Sequence, residues 1–325
     1  MAEGNALLGE AEATAATTTD TPTSAKPAAD AGAPHPYAVM WGILCVTAAF
    51  AIFTFHDALT KWVVADYSPL QVLFVRSVTI LTLCCAIGRK RMIVRSARSP
   101  IRNTLMLRSI FLLGAWFAFY TAAQRLQLAE LTTIYFASPL MVAVLAVPIL
   151  GETVSRGRWV AILIGFGGVL IACRPDVRAP ASAIGLALVA AALWAASMIL
   201  IRQVALREPT LLQMMTSSFT FVLLTGAALP FTWQTPRLLD LALMAAIGVI
   251  GAGAQFLLIE GIKRAPASVV SPLEFTALVW SFVLGYAIWG DVPAVNVFAG
   301  AGLILVSGVL IVGSEWKKAR APEAG

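Results

Sequence analysis

Leu131-Thr-Thr-Ile-Tyr-Phe-Ala-Ser-Pro139 opens an apolar run that ends at Gly151-Glu152, and the next run closes on Gly167-Gly-Val-Leu-Ile171. Further along, Val269-Val-Ser-Pro-Leu-Glu274 opens a run that ends at Gly290-Asp291, and the next closes on Ser307-Gly-Val-Leu-Ile311. The landmarks recur in the same order. Others extend the match backwards: Ala48-Ala-Phe-Ala-Ile-Phe53 with Lys61 corresponds to Val189-Ala-Ala-Ala-Leu-Trp194 with Arg202, and Ser68-Pro69 to Glu208-Pro209. The chain reads as one apolar unit written twice.

Composition says what medium the unit folds in. Of 325 residues, 59% are hydrophobic and 12% charged, whereas soluble domains carry about 25% charge. A helix needs roughly 20 apolar residues to cross the hydrocarbon core. Ten segments are predicted to do so: Val39–Val64, Leu70–Ile87, Leu105–Ala123, Leu131–Leu150, Trp159–Cys173, Ile184–Ile201, Leu211–Pro230, Leu241–Ile259, Ala267–Ile288 and Val295–Val312. Barrel strands would alternate over about ten residues, and these runs do not. With no water in the bilayer core the backbone must bond to itself, so the runs are helices. The expected fold class is an all-α membrane protein of ten transmembrane helices. Five spans per repeat is an odd number, so the second repeat lies inverted relative to the first.

The net charge of +6 is unevenly placed. Arg89, Lys90, Arg91, Arg95, Arg98, Arg102 and Arg108 crowd the connection between spans two and three. Loops on the cytoplasmic side collect Lys and Arg. With that connection inside, Arg156 and Arg158, Arg202 and Arg207, Lys263 and Arg264, and Lys317, Lys318 and Arg320 fall inside too. Lys61, Arg125, Arg174, Arg178 and Arg237 remain outside. This alternation puts both termini in the cytoplasm and assigns the basic residues to membrane topology; no nucleic-acid partner is expected.

The expected organisation is a disordered cytoplasmic tail over 1–36, a first repeat over 37–175, a second over 183–313 and a cytoplasmic tail over 314–325. The Ala/Thr/Pro-rich N-terminal stretch lacks the apolar core of a signal peptide. Cys45, Cys84, Cys85 and Cys173 fall inside spans at no metal-ligand spacing, and read as packing residues. No metal and no cofactor are expected.

One set of motifs carries a resemblance. Asp57-x3-Lys61 closes span one, Ser68-Pro69-x6-Arg76 lies in span two, Ala137-x-Pro139 in span four, Leu150-Gly-Glu152 at its end, and Gly165-Phe-Gly-Gly-Val-Leu-Ile171 in span five. In this order they resemble the drug/metabolite transporter superfamily, in its tandem EamA-domain branch. Within it the pattern is similar to bacterial carriers assigned to riboflavin or S-adenosylmethionine uptake. The second repeat departs from the first: Thr216 stands where Arg76 would fall, and Asp291 replaces Glu152. The resemblance implies an inner-membrane transporter of a small organic metabolite, riboflavin uptake first. Uptake of S-adenosylmethionine and export of amino acids or related metabolites are the alternatives.

Ionisable groups inside spans cost about 2.5–3.5 kcal/mol each on insertion scales, so the few present need a reason. Arg76, in span two, either binds an anionic or carbonyl-bearing substrate group or pairs with Asp57. Asp57 and Lys61, four apart, share a helix face and suit an internal ion pair. His56 beside them titrates near neutral pH when unperturbed, which leaves proton coupling open. Glu274 lies mid-span behind Ser271-Pro272, where proline removes a helix donor and irregular backbone is tolerated if it lines a cavity. Its carboxyl there offers a proton carrier or a partner for a cation. Tyr135 is its counterpart in the first repeat. Trp116 and Tyr120, four apart on span three with Gln124 on the same face, together with Trp194 and Trp280, suit stacking on a planar ring. Glu260 pairs locally with Lys263 and Arg264. The glycines of spans five, eight and ten (Gly165, Gly167, Gly168; Gly248, Gly251, Gly253; Gly300, Gly302, Gly308) leave close packing, a contact between repeats or a homodimer face open.

Repeats in a polytopic chain point to a transporter whose substrate site lies between the halves. No GxxxxGK[ST] phosphate loop is present, so energy comes from a gradient rather than from ATP bound to this chain. A membrane enzyme would need paired acids or a Ser/His set. His35 and His56 are the only histidines and the acids are scattered, so no enzyme is expected.

Overall fold

The computed structural model describes residues 36–150, 156–172, 180–204, 207–264, 273–274 and 276–320. The expected N-terminal tail, Glu152, Cys173 and Ser271-Pro272 lie outside the described residues. Among those described, every regular element is helical: α1 (Pro36–Val63), α2 (Pro69–Arg98), α3 (Arg102–Ala123), α4 (Leu128–Tyr135), α5 (Ala137–Leu150), α6 (Arg156–Ala172), α7 (Ala181–Val204), α8 (Thr210–Thr232), α9 (Leu238–Arg264), α10 (Thr276–Trp289) and α11 (Val295–Arg320). Leu273–Glu274 forms a 3₁₀ turn ahead of α10. Six helices (α1, α2, α3, α7, α8, α9) are long and apolar enough to cross a membrane, and α4–α5, α6, α10 and α11 supply shorter apolar segments.

The helices are apolar on their outer as well as their inner faces. Leu163, Leu170 and Val309 are about 70% exposed (68%, 71% and 71%). A helix hydrophobic all round belongs inside a large core or a bilayer, and these outer faces suit lipid. Trp62 and Trp289 lie with ring centroids 6.4 Å apart near the ends of α1 and α10, in the manner of interfacial aromatic anchors.

The packing repeats as the sequence does. Exchanging α1 for α7, α2 for α8, α3 for α9, α4–α5 for α10 and α6 for α11 turns the α1–α9 contact into α7–α3, and both are made. The α2–α8, α4–α10 and α6–α11 contacts map onto themselves. The α2–α9 contact likewise exchanges with α8–α3, and α5–α7 with α10–α1. These contacts are thus symmetric under exchange of the two halves.

Small residues permit the closest crossings. A Cβ on Gly168 would lie 2.7 Å from the Gly300 carbonyl oxygen, and one on Gly300 2.5 Å from that of Gly168, so α6 and α11 meet backbone to backbone. Ser307 Oγ donates to Ala161 O across the same seam at 2.6 Å. A Cβ on Gly261 would strike Val46 Cγ2, at the α1–α9 crossing. At Gly167, Gly253 and Gly302 an added Cβ would meet nothing within 4 Å, so these three make no close crossing within the chain.

Span four is not continuous, contrary to the sequence reading. It breaks at Phe136 between α4 and α5. Pro139 has no N–H to offer the Tyr135 carbonyl and disfavours helix just before it. The hydroxyls of Thr132 and Thr133 donate back to Leu128 O and Ala129 O at 2.8 and 2.7 Å, a bonding pattern that tends to bend helices. The connection expected to be a basic loop is also helical: α2 runs through Arg89–Arg91 to Arg98, and Arg102 and Arg108 belong to α3. At the far end α11 continues through Lys317 and Lys318 to Arg320. Lys and Arg are good helix formers, so charge ends the apolar segment without ending the helix.

Candidate functional site

A cavity of about 630 Å³ opens where α1, α3, α4, α7 and the turn before α10 converge. On α1, Phe50, Phe53, Thr54 and Asp57 recur at helical spacing and face it together; on α3, Trp116 and Phe119 do so. Tyr135 and Phe136 enter at the α4 break, Trp194 from α7, and Glu274 from the 3₁₀ turn. The α4 break and the Leu273–Glu274 turn thus both stand at the cavity. Trp116 meets Phe53 at 6.0 Å and Trp194 edge-on at 6.1 Å between ring centroids. Phe119 meets Tyr135 at 5.2 Å, and Tyr135 meets Trp194 at 6.3 Å. Among the described residues Asp57 and Glu274 are the two carboxylic acids in this aromatic wall, which also carries the hydroxyl groups of Thr54, Thr132 and Tyr135.

Behind Trp116 lies a buried polar cluster. His56 has no exposed surface; its Nδ1 is 3.0 Å from Asp57 Oδ1 and its Nε2 3.4 Å from the Tyr120 hydroxyl. One imidazole therefore joins a cavity carboxylate to a phenol that is itself fully buried. Arg76, 1% exposed, places its guanidinium carbon 4.6 Å from the Trp116 ring centre. A desolvated cation–π contact is worth about 2 kcal/mol. Nε and Nη2 of Arg76 have no hydrogen-bond partner. Gly251 makes the room, since a Cβ there would stand 3.1 Å from the His56 ring and 3.2 Å from Arg76 Nε.

Two expected pairings are not made. Among the described residues no ion pair joins Arg76 to Asp57, and Lys61 does not reach Asp57. Lys61 Nζ instead donates to the carbonyls of Ala123 and Leu126 at the end of α3, where orphan carbonyls and the helix dipole favour a cation. Gln124, expected on the stacking face, donates to Val64 O at 2.7 Å and ties α3 to the end of α1. At the C-terminal end of α9 the Glu260 expectation holds: Lys263 Nζ lies 3.2 Å from its carboxylate, and Arg264 and Thr210 bond to it as well.

A second, much tighter pocket shares Phe53, Trp116 and Trp194 with the first and continues between α3, α7 and α9. Arg108 lines it, 3% exposed. Its one polar contact among the described residues is a long one, Nη1 to Ser217 Oγ at 3.5 Å, and its Nε has no partner.

The sequence profile of the EamA-like transporter family matches residues 40–174 and again residues 181–313. The chain belongs to this family. Among its relatives, an S-adenosylmethionine uptake transporter of Rickettsia bellii is 25% identical over 295 residues, covering 89% of this chain and 97% of that protein. A riboflavin transporter of Rhizobium johnstonii is 30% identical over 190 residues, covering 57% of this chain and 62% of that one. A pseudopaline exporter of Pseudomonas aeruginosa is 24% identical over 273 residues, covering 82% and 94%. A solved crystal structure superposes with a TM-score of 0.62 at 17% identity, over 85% of this chain and 97% of that one, which shows the shared fold. The protein is a multi-pass membrane transporter of the EamA family.

Of the residues singled out in the sequence, Asp57, Glu274, Trp116, Tyr135 and Trp194 meet at the first cavity. His56, Arg76 and Tyr120 stand behind its wall. Lys61 and Trp280 stand apart. Trp280 is 44% exposed, because α10 buries Leu278, Ser281 and Gly285 and turns position 280 outward. Phe53, Phe119, Thr132 and Arg108 were missed. Arg108 had a readable sign: with Leu112, Trp116 and Tyr120 it recurs every fourth residue and so shares their face.

Proposed function

We propose that this chain is a secondary transporter of the bacterial inner membrane that works by alternating access, with the 630 Å³ cavity as its substrate site. In this reading residues 37–175 and 183–313 are two inverted repeats of five spans each, α4 and α5 together making one broken span. Both termini face the cytoplasm, from the alternation of basic residues. Exchange symmetry between inverted halves gives two conformations of similar energy, which alternating access needs.

The observation that carries the substrate reading is the pairing of Asp57 and Glu274 with aromatic walls, with no basic side chain among the described residues that line the same cavity. Such a site suits a small organic cation with a planar ring: the rings stack on the plane and attract the charge, and the carboxylates neutralise it. S-adenosylmethionine, a sulfonium joined to a purine, meets both demands, and the relative that carries its name matches over nearly its whole length. Riboflavin is the second reading, favoured by the aromatic walls and by the relative at 30% identity, although two carboxylates give a neutral ring no added hold. Direction is inward in both readings. The His56–Asp57–Tyr120 chain supplies a route for a coupled proton.

Uptake of labelled S-adenosylmethionine and labelled riboflavin into proteoliposomes tests this, with and without a proton gradient. Saturable, gradient-sensitive uptake of S-adenosylmethionine is expected. Saturable riboflavin uptake that S-adenosylmethionine does not inhibit would move the substrate to a neutral ring. Uptake of neither by well-inserted protein would move the function to export.

A further inference from the structure

Phe53 and Trp194 occupy equivalent positions in the two repeats, at the ends of Ala48–Phe53 and Val189–Trp194. Both also border both cavities, as does Trp116. The three rings, with centroids 6.0 and 6.1 Å apart along the series, form one aromatic partition between the two cavities. On one side lie Asp57 and Glu274. On the other lies Arg108. Four residues past Phe53 the first cavity has Asp57, and four past Trp194 the second has Met198. Asp57 and Met198 are thus repeat counterparts that face different cavities, and the two cavities are opposite in charge.

We infer that the Arg108 cavity is a second binding station, selective for a carboxylate. The inference rests on the transporter reading but concerns a different site. A buried guanidinium with an orphan Nε and one long contact is poorly satisfied as it stands, and an unmet buried donor is unfavourable. A carboxylate answers it with two parallel hydrogen bonds in the fork geometry that suits arginine. Gln255 and Ser197 in the same wall add neutral polar groups beside it, and the remaining lining is apolar. Among the described residues no acid lines this cavity. A zwitterionic substrate then has a place for each end: its cation with Asp57 and Glu274, its carboxylate with Arg108, and the aromatic partition between.

Trp116 and Trp194 border the cavity, so the intrinsic fluorescence of the full-length protein in detergent micelles reports occupancy. The probes are two pairs that differ only in the carboxylate: S-adenosylmethionine against its decarboxylated counterpart, and L-methionine against methioninamide. Wild type is expected to give a saturable change with the carboxylate member of at least one pair, at a concentration at least tenfold lower than with its partner. Arg108→Gln should abolish that preference, and Arg108→Lys, which keeps the charge without the fork, should retain part of it. Equal responses within both pairs in wild type, no response to any carboxylate, or a preference that survives Arg108→Gln would overturn the station, and the wild-type arms hold even if the variants fail to fold. Flux measured in proteoliposomes from the same preparation separates the two readings. Flux without a carboxylate preference removes the Arg108 station and keeps the transporter. A carboxylate preference without flux keeps the site and removes the transport reading.

Discussion

The two cavities on either side of Phe53, Trp116 and Trp194 share those three rings, yet they are unlike in chemistry. One is rimmed by Asp57 and Glu274 and the other by Arg108. Duplication preserved the packing, in which α1–α9 exchanges with α3–α7 and three further contacts map onto themselves. It did not preserve the side chains that face the interior. Arg76 has Thr216 as its counterpart and Asp57 has Met198. In the proposed mechanism the packing symmetry allows two conformations, and the chemical asymmetry gives a substrate two different ends to find.

The largest expected effect comes from removing an acid. Asp57→Asn or Glu274→Gln should raise the KM for a cationic substrate by about 100-fold, since losing one buried charge partner costs about 2–5 kcal/mol and 1.4 kcal/mol is a factor of ten. Both should leave riboflavin uptake, if any, nearly unchanged. Radiolabel uptake with matched expression checks this, and equal losses for both substrates would reduce the acids to structural groups.

The partition comes next. Trp116→Ala removes a ring shared by both cavities together with the support of Arg76. It should lower unfolding stability by about 3–5 kcal/mol and uptake by more than tenfold. Trp116→Phe should restore most of both. Arg76→Ala should resemble a milder Trp116→Ala, because the guanidinium touches the ring and not the cavity. A change in substrate preference in Arg76→Ala, rather than in rate, would instead place Arg76 on the substrate.

Smaller effects separate space from chemistry. Gly251→Ala puts a methyl 3.1 Å from His56 and 3.2 Å from Arg76; it should destabilise by about 1–3 kcal/mol, as overpacking does, and slow uptake. Two residues on, Gly253→Ala meets nothing within 4 Å and should stay within about 0.5 kcal/mol of wild type. Thermal unfolding in detergent micelles compares the pair. Similar shifts for both would mean that helix propensity, not the contact with the polar cluster, governs the position.

Much of this was legible in the sequence. Long apolar runs and a twice-written order of landmarks gave the helical membrane architecture, because the bilayer leaves the backbone few alternatives. Asp57, Glu274, Trp116, Tyr135 and Trp194 stood out because charge is rare and rings are large inside spans. What could not be read was which neighbour each side chain meets. The spacing of Asp57 and Lys61 suggested a pair, but carbonyls at the end of α3 hold the lysine. Arg108 was counted with the basic connection because its neighbours in sequence are basic, and only the α3 packing buries it. Trp280 shares its residue type with Trp194 but faces outward, since the phase of a short helix depends on where its 3₁₀ turn ends.

The most direct test of the central claim is uptake of labelled S-adenosylmethionine into proteoliposomes carrying wild-type protein or the Asp57→Asn, Glu274→Gln double variant. The account predicts saturable uptake by wild type and its near-complete loss in a double variant that still unfolds cooperatively. Saturable uptake that survives the loss of both carboxylates would contradict it.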